Sequence, residues 1–74
     1  MTRPVVVDAR GMLCPQPVID LARAVKDAPP GTVVEVLADD PAAATDIPAW
    51  CRLRGAELLG VEPFEGATRY RVRR

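Results

Sequence analysis

The stretch Gly11 to Val18, "GMLCPQPV", is where this 74-residue chain holds side chains best suited to chemistry. A cysteine is followed by two prolines, Pro15 and Pro17, after a valine run and before a helical pattern. Sulfur reacts as the thiolate, so the question is what ionises and exposes Cys14. Taken as the residue that caps a helix, Cys14 places Pro15 first and Pro17 third in that helix. Proline suits the first position, where its missing N–H is not needed. At the third position it removes a donor that a capping side chain would normally engage. Only the Gln16 N–H is then left for the sulfur, and the rigid prolines are expected to hold the thiol outward. The positive end of the helix dipole, with Arg10 four residues back, predicts a thiol pKa below the ordinary value. Cys14 therefore reads as a nucleophile or a covalent carrier. The competing reading is a small core residue; a second proline in the first turn and the glycine-bearing loop at Gly11 favour the reactive one.

Cys51 reads differently. It stands four residues after Ile47 on the apolar face of a helical segment, beside Trp50 and Leu53, and is assigned to core packing. Nothing in the spacing supports a disulfide to Cys14. Two cysteines and no histidine are too few for a tetrahedral zinc site without carboxylates, so no metal is expected.

The elements that must position Cys14 follow from periodicity. Val5–Asp8 is a β-branched run ending in a polar turn, a short strand. Pro15–Ala28 carries Val18, Leu21, Ala22 and Val25 on one helical face, and "PPG" at 29–31 stops it. Thr32–Leu37 is a second strand. A loose turn at Pro41–Ala44 leads to a second helix beginning near Thr45, with Pro48 in its first turn and Gly55 as its stop. Glu57–Glu62 and Thr68–Arg73 are strands joined through the hairpin "PFEG". The order β-α-β-α-β-β with right-handed crossovers predicts a two-layer α/β sandwich. Its mixed four-stranded sheet carries both helices on one face, in a single domain over residues 1–74.

Composition narrows the function. Hydrophobic residues make up 49% of the chain and formal net charge is zero, as expected of a globular body with no overall pull on nucleic acid or acidic membranes. No export signal and no membrane-spanning stretch is seen, so a cytoplasmic setting with reduced thiols is expected. Nine of the ten basic residues are arginine, four of them in the last six positions, "RYRVRR". Alternation there points Tyr70 and Val72 inward and Arg69, Arg71 and Arg73 outward. The preferred reading is a charged edge strand that resists aggregation. The other is a docking surface for an acidic partner or RNA phosphates, although single aromatics give little basis for base stacking and direct nucleic-acid binding is not expected.

"DARGMLCPQPVIDLARAV" followed by "DDPAAATDIPAWCRLRGAELL" resembles the TusA/SirA-like family of small sulfur carriers over nearly the whole chain. The first signature falls on Asp8, Gly11, Cys14, Pro15 and Pro17, the second on Asp40, Pro41, Asp46, Ile47, Pro48 and Cys51. The resemblance implies a fold like the C-terminal domain of a bacterial translation initiation factor. It further implies that Cys14 takes sulfane sulfur as a persulfide, with no other cofactor. The implied donors are cysteine desulfurases or rhodanese-like proteins; the acceptors belong to tRNA thiolation, molybdenum cofactor assembly or sulfur oxidation. Asp8, Arg10, Gly11, Pro15, Gln16 and Pro17 support the site, and Met12 and Leu13 are docking contacts or, equally, packing beneath the loop. Where many members carry Gly-His-Glu-Leu, this chain has Gly55, Ala56, Glu57 and Leu58. Two further readings compete with the carrier: a regulatory or RNA- or protein-binding module in which Cys14 is structural, and a thiol oxidoreductase. The latter is disfavoured because no Cys-x-x-Cys pair supplies a resolving thiol.

Overall fold

A computed structural model describes residues 3–74; Met1 and Thr2, part of the segment read for an export signal, lie outside them. The order is β1 (Val5–Asp8), α1 (Gln16–Asp27), β2 (Val33–Ala38), α2 (Ala43–Arg54), β3 (Glu57–Phe64) and β4 (Ala67–Arg73). The strands form one mixed sheet in the order β1-β2-β4-β3. β1 pairs parallel with β2, and β4 runs antiparallel to both β2 and β3. This is the expected two-layer α/β arrangement.

One set of strand residues meets both helices. Val34, Val36 and Ala38 from β2 and Tyr70 and Val72 from β4 share a buried cluster with Leu21 of α1 and with Ala43, Ile47 and Cys51 of α2. Alternation along the strands leaves Glu35, Arg69, Arg71 and Arg73 on the opposite face. Burial of the apolar set is the main stabilising term, at about 25 cal/mol per Å² removed from water.

The arginine strand is not an edge. β4 lies between β2 and β3, so its arginines cover the sheet's open face and do not guard a border. They are held there by glutamates of β3. Arg69 and Arg71 each lie 3.2 Å from Glu62, and Arg73 lies 2.5 Å from Glu57. Arg69 also stacks over the Phe64 ring at 5.3 Å. A bulge between Leu58 and Gly60 sets Gly60 opposite Arg71, where a Cβ would come within 3.3 Å of the guanidinium. All three guanidiniums are thus paired with the two carboxylates of β3, which takes up most of the strip's charge.

The second helix starts two residues earlier than Thr45, at Ala43, which puts Pro48 inside it. The cause is Asp40. Its carboxylate accepts the Ala42 N–H at 3.0 Å and its carbonyl accepts the Ala43 N–H at 3.0 Å, and these bonds organise the turn that precedes Thr45. Gly55 ends α2 in the left-handed conformation, as expected.

Candidate functional site

Both helices start at the end of the sheet where the parallel strands β1 and β2 finish. Asp8 is in register with Leu37, so the loop after β1 lies beside the segment after β2. Ala9 is fully buried and its N–H bonds the Leu37 carbonyl at 2.8 Å, anchoring the loop's start. From there the chain turns through Gly11 at φ 80°, and Met12 N–H returns to the Ala9 carbonyl. Cys14 follows, half-buried, joined to Pro15 by a cis peptide bond.

Two carboxylates from the β2–α2 segment grip this loop. Asp39 accepts the Gly11 N–H through both oxygens, at 3.0 and 3.1 Å. Asp40 accepts the Cys14 N–H at 2.7 Å with one oxygen and the Ala42 N–H with the other. Asp46, early in α2, is a further acid whose carboxylate pushes the Cys14 thiol up. In the sequence Asp40 and Asp46 stand out as signature residues, with no contact to the Cys14 loop expected of either. The signal that could have found them is topological: in a β-α-β unit the acids that end the second parallel strand face the loop that ends the first.

The site differs from expectation in two ways. The residue that caps α1 is Pro15 and not Cys14, with no side-chain cap, and Pro17 is buried in the core. The Gln16 N–H bonds the Leu13 carbonyl at 2.9 Å and is not available to the sulfur. The thiol pKa is also raised, not lowered: burial is the largest cause, followed by the hydrogen bond and charge of Asp46 and then the charge of Asp40. The helix end does not offset these causes, because of the prolines. Helix N-termini stabilise anions through free N–H groups, and here Pro15 and Pro17 have none while Gln16 has given its own away.

Arg10 does not compensate. It forms a two-pronged pair with Asp8, at 2.9 and 2.8 Å, and reaches Glu65 of the β3–β4 turn at 3.7 Å. That pairing holds the Asp8 carboxyl at about 2. Gln16 turns along α1 to Asp20, 2.8 Å away. The thiol loop and the first turn of α1 also carry exposed apolar side chains: Leu13 is 77% exposed, and Met12 and Ile19 are 39% exposed each. Met12 and Leu13 therefore face solvent and do not pack under the loop. Cys51 is free and buried, with its thiol pushed up by burial. Among the described residues no group of metal-ligating side chains is found, and no helix is long and apolar enough to cross a membrane.

The family described as sulfurtransferase TusA matches residues 5–74. The chain is 38% identical over 74 residues to the sulfur carrier protein TusA of Pseudomonas syringae pv. tomato, covering 100% of this chain and 88% of that one. A putative sulfur carrier protein of Archaeoglobus fulgidus is 43% identical over 70 residues, 95% of this chain and 96% of its own. Among solved structures, a SirA-like protein from Desulfitobacterium hafniense superposes with a TM-score of 0.81 at 26% identity, covering 93% of this chain and 95% of that one.

Proposed function

We propose, from the premise that the chain belongs to the sulfurtransferase TusA family and is a sulfur carrier, that Cys14 holds the sulfur as a persulfide. The observation that carries this reading is the position of Cys14, half-buried but reachable, amid exposed Leu13, Met12 and Ile19. Cys51 is sealed in the core. A carrier must present its sulfur to proteins in turn, and exposed apolar side chains beside a reachable thiol suit that.

The transfer is a thiol exchange. The Cys14 thiol loses its proton to solvent or to the donor, and the thiolate attacks the outer sulfur of a donor Cys–S–SH. A new S–S bond forms to Cys14, the donor's S–S bond breaks, and the donor leaves as a thiolate. Delivery repeats the exchange with the acceptor's thiolate attacking and Cys14 leaving. No electrons are gained or lost overall, and neither a metal nor an organic cofactor enters. Donors of the cysteine desulfurase or rhodanese-like kind fit this chemistry, as do acceptors in tRNA thiolation, molybdenum cofactor assembly or sulfur oxidation. Free thiols at both cysteines support a cytoplasmic setting.

Incubation with a persulfide donor is expected to add one reductant-labile sulfur to the protein by intact mass. Cys14→Ser should abolish the addition and Cys51→Ala should leave it. Loading that survives Cys14→Ser would refute the assignment.

A further inference from the structure

The two acids that hold the thiol loop do so in different ways. Asp39 accepts a single donor, the Gly11 N–H, with both oxygens, at 3.0 and 3.1 Å. Asp40 accepts two donors, the Cys14 N–H at 2.7 Å through Oδ2 and the Ala42 N–H at 3.0 Å through Oδ1. Among the described residues, the backbone of residues 11–14 makes no other hydrogen bond outside its own loop and the start of α1: the Met12 N–H returns to Ala9, and the Leu13 carbonyl accepts the Gln16 N–H. The Asp40 carbonyl in turn accepts the Ala43 N–H, where α2 begins. The residue that bears the thiol is thus held from 26 residues away, by a side chain fixed to the start of the other helix.

We propose that Asp40 is a positioning residue that aims the Cys14 sulfur for transfer, and that it acts by accepting two N–H groups at once, not by its charge. The proposal rests on the persulfide reading above and deepens it. Exchange between sulfurs needs the attacking atom aligned with the S–S bond it breaks, and a misplacement of about 1 Å in such a step costs on the order of a hundredfold. A docked protein donor cannot follow a wandering loop, whereas a small diffusing reagent finds the thiol wherever the loop carries it. Acceptor count then separates the two acids. An asparagine side chain has one acceptor oxygen and, beside it, an NH2 that only donates. At position 39 that one oxygen still serves the Gly11 N–H. At position 40 it serves one donor of the two. The bond to Ala42, two residues on, is the local one that asparagine makes readily, so the Cys14 N–H is the one released. Each substitution removes one negative charge beside the loop, and only Asp40→Asn removes the hold on Cys14.

The test compares wild type, Asp39→Asn and Asp40→Asn. Amide hydrogen exchange at Cys14, followed by nuclear magnetic resonance, should be about ten- to a hundredfold faster in Asp40→Asn, the worth of one hydrogen bond to a charged acceptor, and near wild type in Asp39→Asn. The rate of sulfur transfer to Cys14 from a rhodanese loaded with thiosulfate, read by intact mass, should fall about tenfold or more in Asp40→Asn. In Asp39→Asn, which keeps its bond, it should fall by less than about twofold. Alkylation of Cys14 by iodoacetamide, a small neutral reagent, should be no slower in either variant, because losing a nearby carboxylate does not disfavour the thiolate. Unchanged exchange or unchanged transfer in Asp40→Asn overturns the proposal. An equal loss of transfer in Asp39→Asn also overturns it, by making charge the cause, as does alkylation slowed in step with transfer, by making a damaged site the cause. Wild type that takes up no sulfur, or a Cys14→Ser protein that does, rejects the persulfide reading instead; the exchange rates at Cys14 then still decide whether Asp40 holds the loop.

Discussion

Replacing Gly11 with alanine tests whether the thiol loop needs its left-handed turn. Gly11 sits at φ 80°, and a Cβ built there meets nothing within 4 Å. Crowding is therefore excluded, and the cost is that of the backbone conformation alone, about 1–2 kcal/mol for an L-residue. The loop has little freedom to escape by relaxing φ, because the Gly11 N–H is fixed to both Asp39 oxygens and the Met12 N–H to Ala9. A chain of 74 residues has roughly 4–11 kcal/mol of stability to lose from. In domains of this size each kcal/mol shifts Tm by roughly 4–8 °C, so Gly11→Ala should lower Tm by roughly 5–15 °C and still fold. Gly60→Ala is the control. Its φ is not positive, and its Cβ would come within 3.3 Å of the far end of the long Arg71 side chain, which a small shift relieves, so a smaller fall is expected. Thermal unfolding followed by far-ultraviolet dichroism reads both. A Gly11→Ala protein as stable as wild type would refute the reasoning, as would a larger loss in Gly60→Ala.

Ile47 is fully buried at the junction of α2 with the sheet. Ile47→Ala should cost about 2–5 kcal/mol in urea unfolding, and a loss under about 1 kcal/mol would mean that the layers are not packed as described. Cys51→Ala should lower stability while leaving both sulfur loading and Cys14 alkylation intact, checked by intact mass and iodoacetamide kinetics. Asp8 titrates at about 2 when folded, against 3.8 as an unpaired side chain. A depressed carboxylate contributes stability above the unfolded value and loses it as pH falls through the folded one. Asp8→Asn should therefore be less stable than wild type at neutral pH, with the gap closing between about pH 4 and pH 2 in urea titrations.

Much of the scaffold is legible in local pattern. The β-branched run Val5–Asp8 coincides with β1, and the one-faced apolar spacing after Pro15 gives α1 to within a residue at each end. What escapes is set by contacts distant in sequence. Nothing in "TRYRVRR" says that the strand will be inserted between two others, which is why its arginines read as an edge guard. The start of α2 is displaced from Thr45 because the organising group is Asp40, through bonds to Ala42 and Cys14. The thiol's electrostatics escape for a related reason. Prolines ahead of a helix also remove the N–H groups that make its end attractive to anions, so nothing there offsets burial and the nearby acids. The opposing acids come from 26 to 32 residues away in sequence and become neighbours only once β1 and β2 pair.

The sheet order also has a consequence during synthesis. On the ribosome, β1, β2 and both helices emerge well before residues 67–73, yet the strand that joins β2 to β3 is the last of the four to appear. Until then β3 has no hydrogen-bonded neighbour and the apolar undersides of the helices lack Tyr70 and Val72. A nascent chain stalled before residue 67 should thus be a protease-sensitive intermediate, with closure of the domain arriving late and in one step.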